Sequence, residues 1–119
     1  MTQGYHFAEV AEAGADAPTL FLFHGTGGDE TQFLDLGGQL KPGARLVAPR
    51  GDVSEHGALR YFKRTGEGRY DMADLARATE KMADFVSGMA GQGASLALGY
   101  SNGANIIASV LFAHPGSFA

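Results

Sequence analysis

Five residues near the end of the chain, Gly99-Tyr100-Ser101-Asn102-Gly103, fit the pattern G-x-S-x-G, with one apolar run at 94–98 before them and another at 106–112 after. That order is what a nucleophile elbow requires: a strand, a sharp turn that presents the serine, and a helix. Backbone in such a turn is strained, and the flanking glycines let neighbouring main chain pass where a Cβ would obstruct it. Ser101 is therefore the candidate nucleophile. The bland alternative is a tight strand-to-helix turn whose serine only caps the helix. After Ser101 the chain carries no Asp or Glu and one histidine, His114, whereas chains with this elbow ordinarily supply an acid and a base downstream.

The same alternation recurs upstream. Pro18 introduces Thr19-Leu20-Phe21-Leu22-Phe23, which ends at His24-Gly25 and reads as a strand buried on both faces. Residues 45–48 form a second such run, closed by Pro49-Arg50-Gly51, and 94–98 a third. Residues 5–10 are short and partly alternating, as an edge strand is. Between the runs, Phe33, Leu34, Leu36 and Leu40 suggest a short helix, capped from Asp29 or Glu30 and weakened by Gly37 and Gly38. Leu75, Ala78, Met82, Phe85, Val86 and Met89 follow 3.6-residue spacing behind an Asp71 cap. Asn102 to Ala113 completes the set and stops at Pro115-Gly116. Residues 51–70 lack a period and are expected to be a long loop.

Strands alternating with helices imply an α/β fold, a mostly parallel sheet with helices on both faces. Ligands in such sheets bind beyond the carboxyl ends of the strands. His24-Gly25, Pro49-Arg50-Gly51 and Tyr100-Ser101 all fall there. An acyl carbonyl attacked by Ser101 would need donors aimed at its developing oxyanion, and two are predicted: the amide of Asn102, and the amide of Thr26 in the His24-Gly25-Thr26-Gly27-Gly28 loop. Tyr61 and Phe62, with His24, Gly25 and Tyr100, are candidates to line a substrate pocket; Tyr61 and Phe62 fit a plugged core edge equally well.

Composition narrows the partners. A chain of 119 residues that is 45% hydrophobic can bury a core as one domain. The net charge of −4, with no basic cluster longer than residues 60–64, argues against nucleic acid. Without cysteine, and without a leader-like core in the first ten residues or a membrane-length apolar run, the expectation is a soluble cytoplasmic protein. Gly25 to Gly28 lacks the Lys-Ser/Thr of a phosphate loop, and no cofactor or metal is implied. The histidines offer no obvious base. His114 follows about twelve helical residues after Ser101, roughly 18 Å away at ~1.5 Å per residue. His24 reads as a scaffold residue, His6 as surface and His56 as part of the long loop. Asp71 reads as a cap rather than as a catalytic acid.

The chain resembles the phospholipase/carboxylesterase family of α/β-hydrolases, close to bacterial hydroquinone-resistance carboxylesterases. The likeness rests on residues 22–30, on Ala48-Pro49-Arg50-Gly51, on Arg60-Tyr61-Phe62, on residues 70–75 and on the elbow itself. It implies a metal-independent esterase or thioesterase of about two hundred residues with a Ser, Asp, His triad, acting through an acyl-serine on small or medium acyl esters. Ser101 would be the nucleophile, and Thr26 and Asn102 the oxyanion donors. The family's Asp and His have no matching positions here, so the chain is expected to be the N-terminal portion of such a fold, ending after the elbow helix. A strand left bare by that ending is expected to promote self-association. The alternative is a non-catalytic binding module that kept the fold without a complete triad.

Overall fold

The computed structural model describes residues 4–11, 14, 16–66 and 68–118; the first three residues of the segment searched for a leader lie outside them. Its main sheet has four strands in the order β1-β3-β2-β8. Here β1 is Phe7–Val10, β2 Thr19–Phe23, β3 Arg45–Pro49 and β8 Ser95–Gly99. β2 runs parallel to both β3 and β8, while β1 pairs antiparallel with β3 as an edge strand. The three apolar runs thus sit within one residue of where the sequence places them.

Alternation along these strands sorts the core into two layers. Phe21, Phe23 and Val47 pack with Ala78, Met82, Phe85 and Val86 of helix α2 (Met72–Met89) and with Ile106 and Val110 of helix α3 (Asn102–Ala113). Leu20, Leu22, Leu46 and Ala48 point the other way, towards Phe33 and Leu34 at the start of helix α1 (Leu34–Leu40). Helices therefore cover both faces of a predominantly parallel sheet. Tyr5 and Phe7 seal one side of the first layer, each meeting the Phe85 ring edge-on at 5.4 and 5.6 Å. Asp71 caps α2, accepting from the Asp74 amide at 3.0 Å, as its spacing predicts.

Two expectations are corrected. Residues 51–70 are two small antiparallel hairpins rather than a long loop: β4 (Val53–Glu55) with β5 (Ala58–Arg60), and β6 (Arg64–Gly66) with β7 (Arg69–Tyr70). The first turns on His56 and Gly57 at φ 52° and 90°, the pair of positive angles that matches the twist of a two-residue hairpin. The Arg64 guanidinium grips the Glu55 carboxylate with two hydrogen bonds of 2.8 and 2.6 Å, linking the hairpins. Nor do Asp29 and Glu30 cap α1. Its N-cap is Phe33, without a side-chain bond, because successive turns intervene first. Asp29 instead accepts from the amide and hydroxyl of Thr31, and Glu30 takes the Arg50 fork.

Candidate active site

Ser101 stands between β8 and α3 at φ 54°, ψ −113°, a conformation that L-residues rarely adopt. It occupies the N-cap position, yet its hydroxyl makes no capping bond, and the residue is exposed. The capping alternative therefore does not describe it. Both motif glycines are required by close approach. A Cβ on Gly103 would lie 2.2 Å from the Phe23 carbonyl oxygen, and one on Gly99 would lie 2.8 Å from the Ala104 amide nitrogen. Helix, strand and turn are packed too tightly for any side chain at either place.

Register brings the second loop alongside. Phe23 pairs with Gly99, and the Tyr100 amide donates to the Phe23 carbonyl at 3.2 Å, so the chain leaving β2 passes directly beside the elbow. Gly25 is buried against the ring of Tyr100, a residue that is itself 63% exposed. Within the 25–28 turn, Gly28 donates to the Gly25 carbonyl and Gly27 to the Leu59 carbonyl. Among the described residues, the amides of Thr26 and Asn102 have no hydrogen-bond acceptor. Asn102 is the first residue of α3, where the helix dipole is positive.

The expected pocket lining divides. Tyr100 and Gly25 border the elbow, but His24, Tyr61 and Phe62 are core residues, 2%, 0% and 0% exposed, and form no open wall. Each is held from within. His24 Nε2 accepts from the Gly51 amide at 2.9 Å, which makes Nδ1 the donor to the Gly25 carbonyl at 2.8 Å. The ring is thereby fixed as a neutral tautomer, and burial pushes its pKa below the usual histidine value. The Tyr61 hydroxyl donates to the Pro49 carbonyl and accepts from the His24 amide, each at about 3 Å. Burial drives its pKa up.

The other histidines are also occupied. His114 pairs with Glu80 at the far end of α3, and His6 with Glu30. His56 sits in the hairpin turn. Among the described residues, no group of His, Asp and Glu could hold a metal, and no helix is long and apolar enough to cross a membrane. A concavity of about 750 Å³ lies at the opposite end of β8, near Ser95, Pro115 and Phe118, and takes no residue from the elbow or the 24–28 loop.

Sequence reasoning missed the ties between these loops. Asn102 Oδ1 accepts from the Tyr61 amide at 2.8 Å, and Arg60 Nη1 donates to Thr26 Oγ1 at 2.8 Å. Both join residues more than thirty positions apart, so no local pattern announces them.

A strand–elbow–helix junction on a parallel sheet with helices on both faces is the architecture of the α/β-hydrolases, and the chain has that fold. Its relatives agree. It is 44% identical over 108 residues to "Putative hydrolase MhqD" of Bacillus subtilis, covering 87% of this chain and 54% of that protein. Among solved structures, it matches protein Atu2452 of Agrobacterium tumefaciens at 53% identity and TM-score 0.92, covering 99% of this chain and 59% of the other. The Bacillus cereus carboxylesterase matches at 34% identity and TM-score 0.89, covering 95% and 56%. No family model matches the chain. The chain thus spans about half the length of the curated relative it matches. Hydrolase and carboxylesterase are the functions named among these relatives, and the non-catalytic module is not favoured.

Proposed function

We propose that the complete gene product is a serine carboxylic-ester hydrolase, of esterase or thioesterase type, and that this chain supplies its nucleophile and oxyanion hole. The observation that carries the reading is Ser101, exposed and held at φ 54° with its hydroxyl spared from capping, beside two amides without acceptors. Ser101 Oγ adds to the acyl carbonyl, and the amides of Thr26 and Asn102 receive the oxyanion of the tetrahedral adduct. Collapse expels the alcohol or thiol and leaves an acyl-serine, which water then cleaves to the acid. The Ser101 proton must pass to a base, and the four histidines here are placed elsewhere: His24 in the scaffold, His6 and His114 in surface pairs, His56 in a turn. None of the four stands ready as the base, and the reading assigns the base and its acid partner to the part of the relative's length that this chain does not span. Small or medium acyl esters are the substrate class.

A fluorophosphonate probe tests this. The complete gene product should label at Ser101, and Ser101→Ala should abolish both labelling and hydrolysis of p-nitrophenyl butyrate. Labelling that survives in Ser101→Ala would remove the assignment.

A further inference from the structure

Arg60, at the end of β5, is an unusual group to find beside the elbow. Its side chain belongs to a residue only 3% exposed, yet no carboxylate pairs with it among the described residues. The Glu55 carboxylate, gripped by Arg64, acts on it only from a distance, and a buried cation without a carboxylate in contact is costly, whereas an apolar side chain of similar volume would fill the space without that cost. Burial accordingly pulls its pKa down from the usual arginine value. What the guanidinium does have is two hydrogen bonds and an aromatic face. Nε donates to the Phe62 carbonyl at 3.0 Å, Nη1 donates to Thr26 Oγ1 at 2.8 Å, and the Phe62 ring lies 5.4 Å away. Its chain neighbours act on the same two loops. The Leu59 carbonyl accepts from the Gly27 amide at 3.2 Å, and the Tyr61 amide donates to Asn102 Oδ1 at 2.8 Å.

Three consecutive residues, Leu59, Arg60 and Tyr61, are therefore bonded to both segments whose amides stand without acceptors. We infer that Arg60 is a positioning residue: by holding the Thr26 hydroxyl it sets where the Thr26 amide sits relative to the Asn102 amide, which Tyr61 fixes from the other side. This rests on the reading of those amides as oxyanion donors. A donor moved off its aim weakens only the transition state, so turnover should fall while substrate affinity holds. Arginine suits the task because its planar fork bonds two acceptors in fixed directions, which a lysine cannot reproduce.

The test compares kcat and KM of the complete gene product on p-nitrophenyl butyrate in Thr26→Val, Thr26→Ser, Arg60→Gln and Arg60→Lys. Thr26→Val keeps the amide and the shape but removes the acceptor; kcat should fall about tenfold, less than outright loss of a donor, with KM within about twofold. Thr26→Ser restores the acceptor and should recover most of the loss. Arg60→Gln and Arg60→Lys should show the same kcat defect, and combining Thr26→Val with Arg60→Gln should add little to it, since the Arg60–Thr26 bond is already lost in either single variant. Wild-type kcat in Thr26→Val, a defect confined to KM, or additive losses would overturn the inference. If Arg60→Gln fails to fold, the two Thr26 variants decide alone. Ser101→Ala separates the levels: turnover that survives there sinks the nucleophile assignment and this inference with it. Loss in Ser101→Ala beside a normal Thr26→Val sinks only the role of Arg60.

Discussion

β2 and β8 lie side by side in register, five residues each, and each delivers one half of the candidate site, yet their surroundings differ. β2 is flanked by β3 and β8, and all five of its residues are buried. β8 has β2 on one side and, among the described residues, no strand on the other; every residue of it is half-buried. The loop bearing Thr26 thus grows from a strand paired on both sides, and the elbow bearing Ser101 from one that, among the described residues, is paired on one side. The difference teaches that, within these residues, the Thr26 loop is anchored by core packing, while the elbow depends on its glycine contacts with β2 and on α3.

The comparison can be broken by mutation. Phe23→Ala in β2 should cost about 3–5 kcal/mol in urea unfolding of the 119-residue chain at low concentration, as for other large buried rings. Leu98→Ala in β8, measured in the 119-residue chain, should cost only about 1–2 kcal/mol, because less apolar area is withdrawn from water. Equal losses would mean that β8 is as well packed as its neighbour. Gly103→Ala attacks the joint between them: a Cβ 2.2 Å from the Phe23 carbonyl oxygen must force α3 off the sheet. A loss of about 1–3 kcal/mol, typical of overpacking, should appear together with impaired labelling of Ser101.

Association probes the same edge. The 119-residue chain should scatter light as a growing species when concentrated, since an unpaired strand templates further pairing; a concentration-independent monomer would show that the edge is protected.

The smallest effect concerns pH. His24 titrates below its ordinary value of 6.5 because it is buried, so the unfolded chain binds the proton more readily. Its contribution is complete above about pH 6.5 and is lost as the pH falls towards the lowered folded value. Stability should therefore decline as the pH falls below about 6.5 in the wild type, and less steeply in His24→Asn.

Much of this architecture was legible because buried parallel strands read as unbroken apolar runs and α2 carries both a period and a cap. The hairpins of 53–70 were not, since their strands of two or three residues are largely polar and half-exposed; His56-Gly57 was the one available signal. At the site, Ser101, Thr26 and Asn102 could be named because their candidacy rests on adjacent residues. Arg60 and the Asn102 side chain could not, because their bonds span 34 and 41 positions. Tyr61 and Phe62 stayed open for another reason: an apolar aromatic satisfies a pocket wall and a core equally well, and only solvent accessibility distinguishes them.

The backbone angles at Ser101 have an evolutionary corollary. Glycine would relax at φ 54°, ψ −113°, so Ser101→Gly should make the molecule more durable while silencing it. A library sorted on heat tolerance alone would drift towards that substitution, and only a screen that also rewards turnover would keep the alcohol.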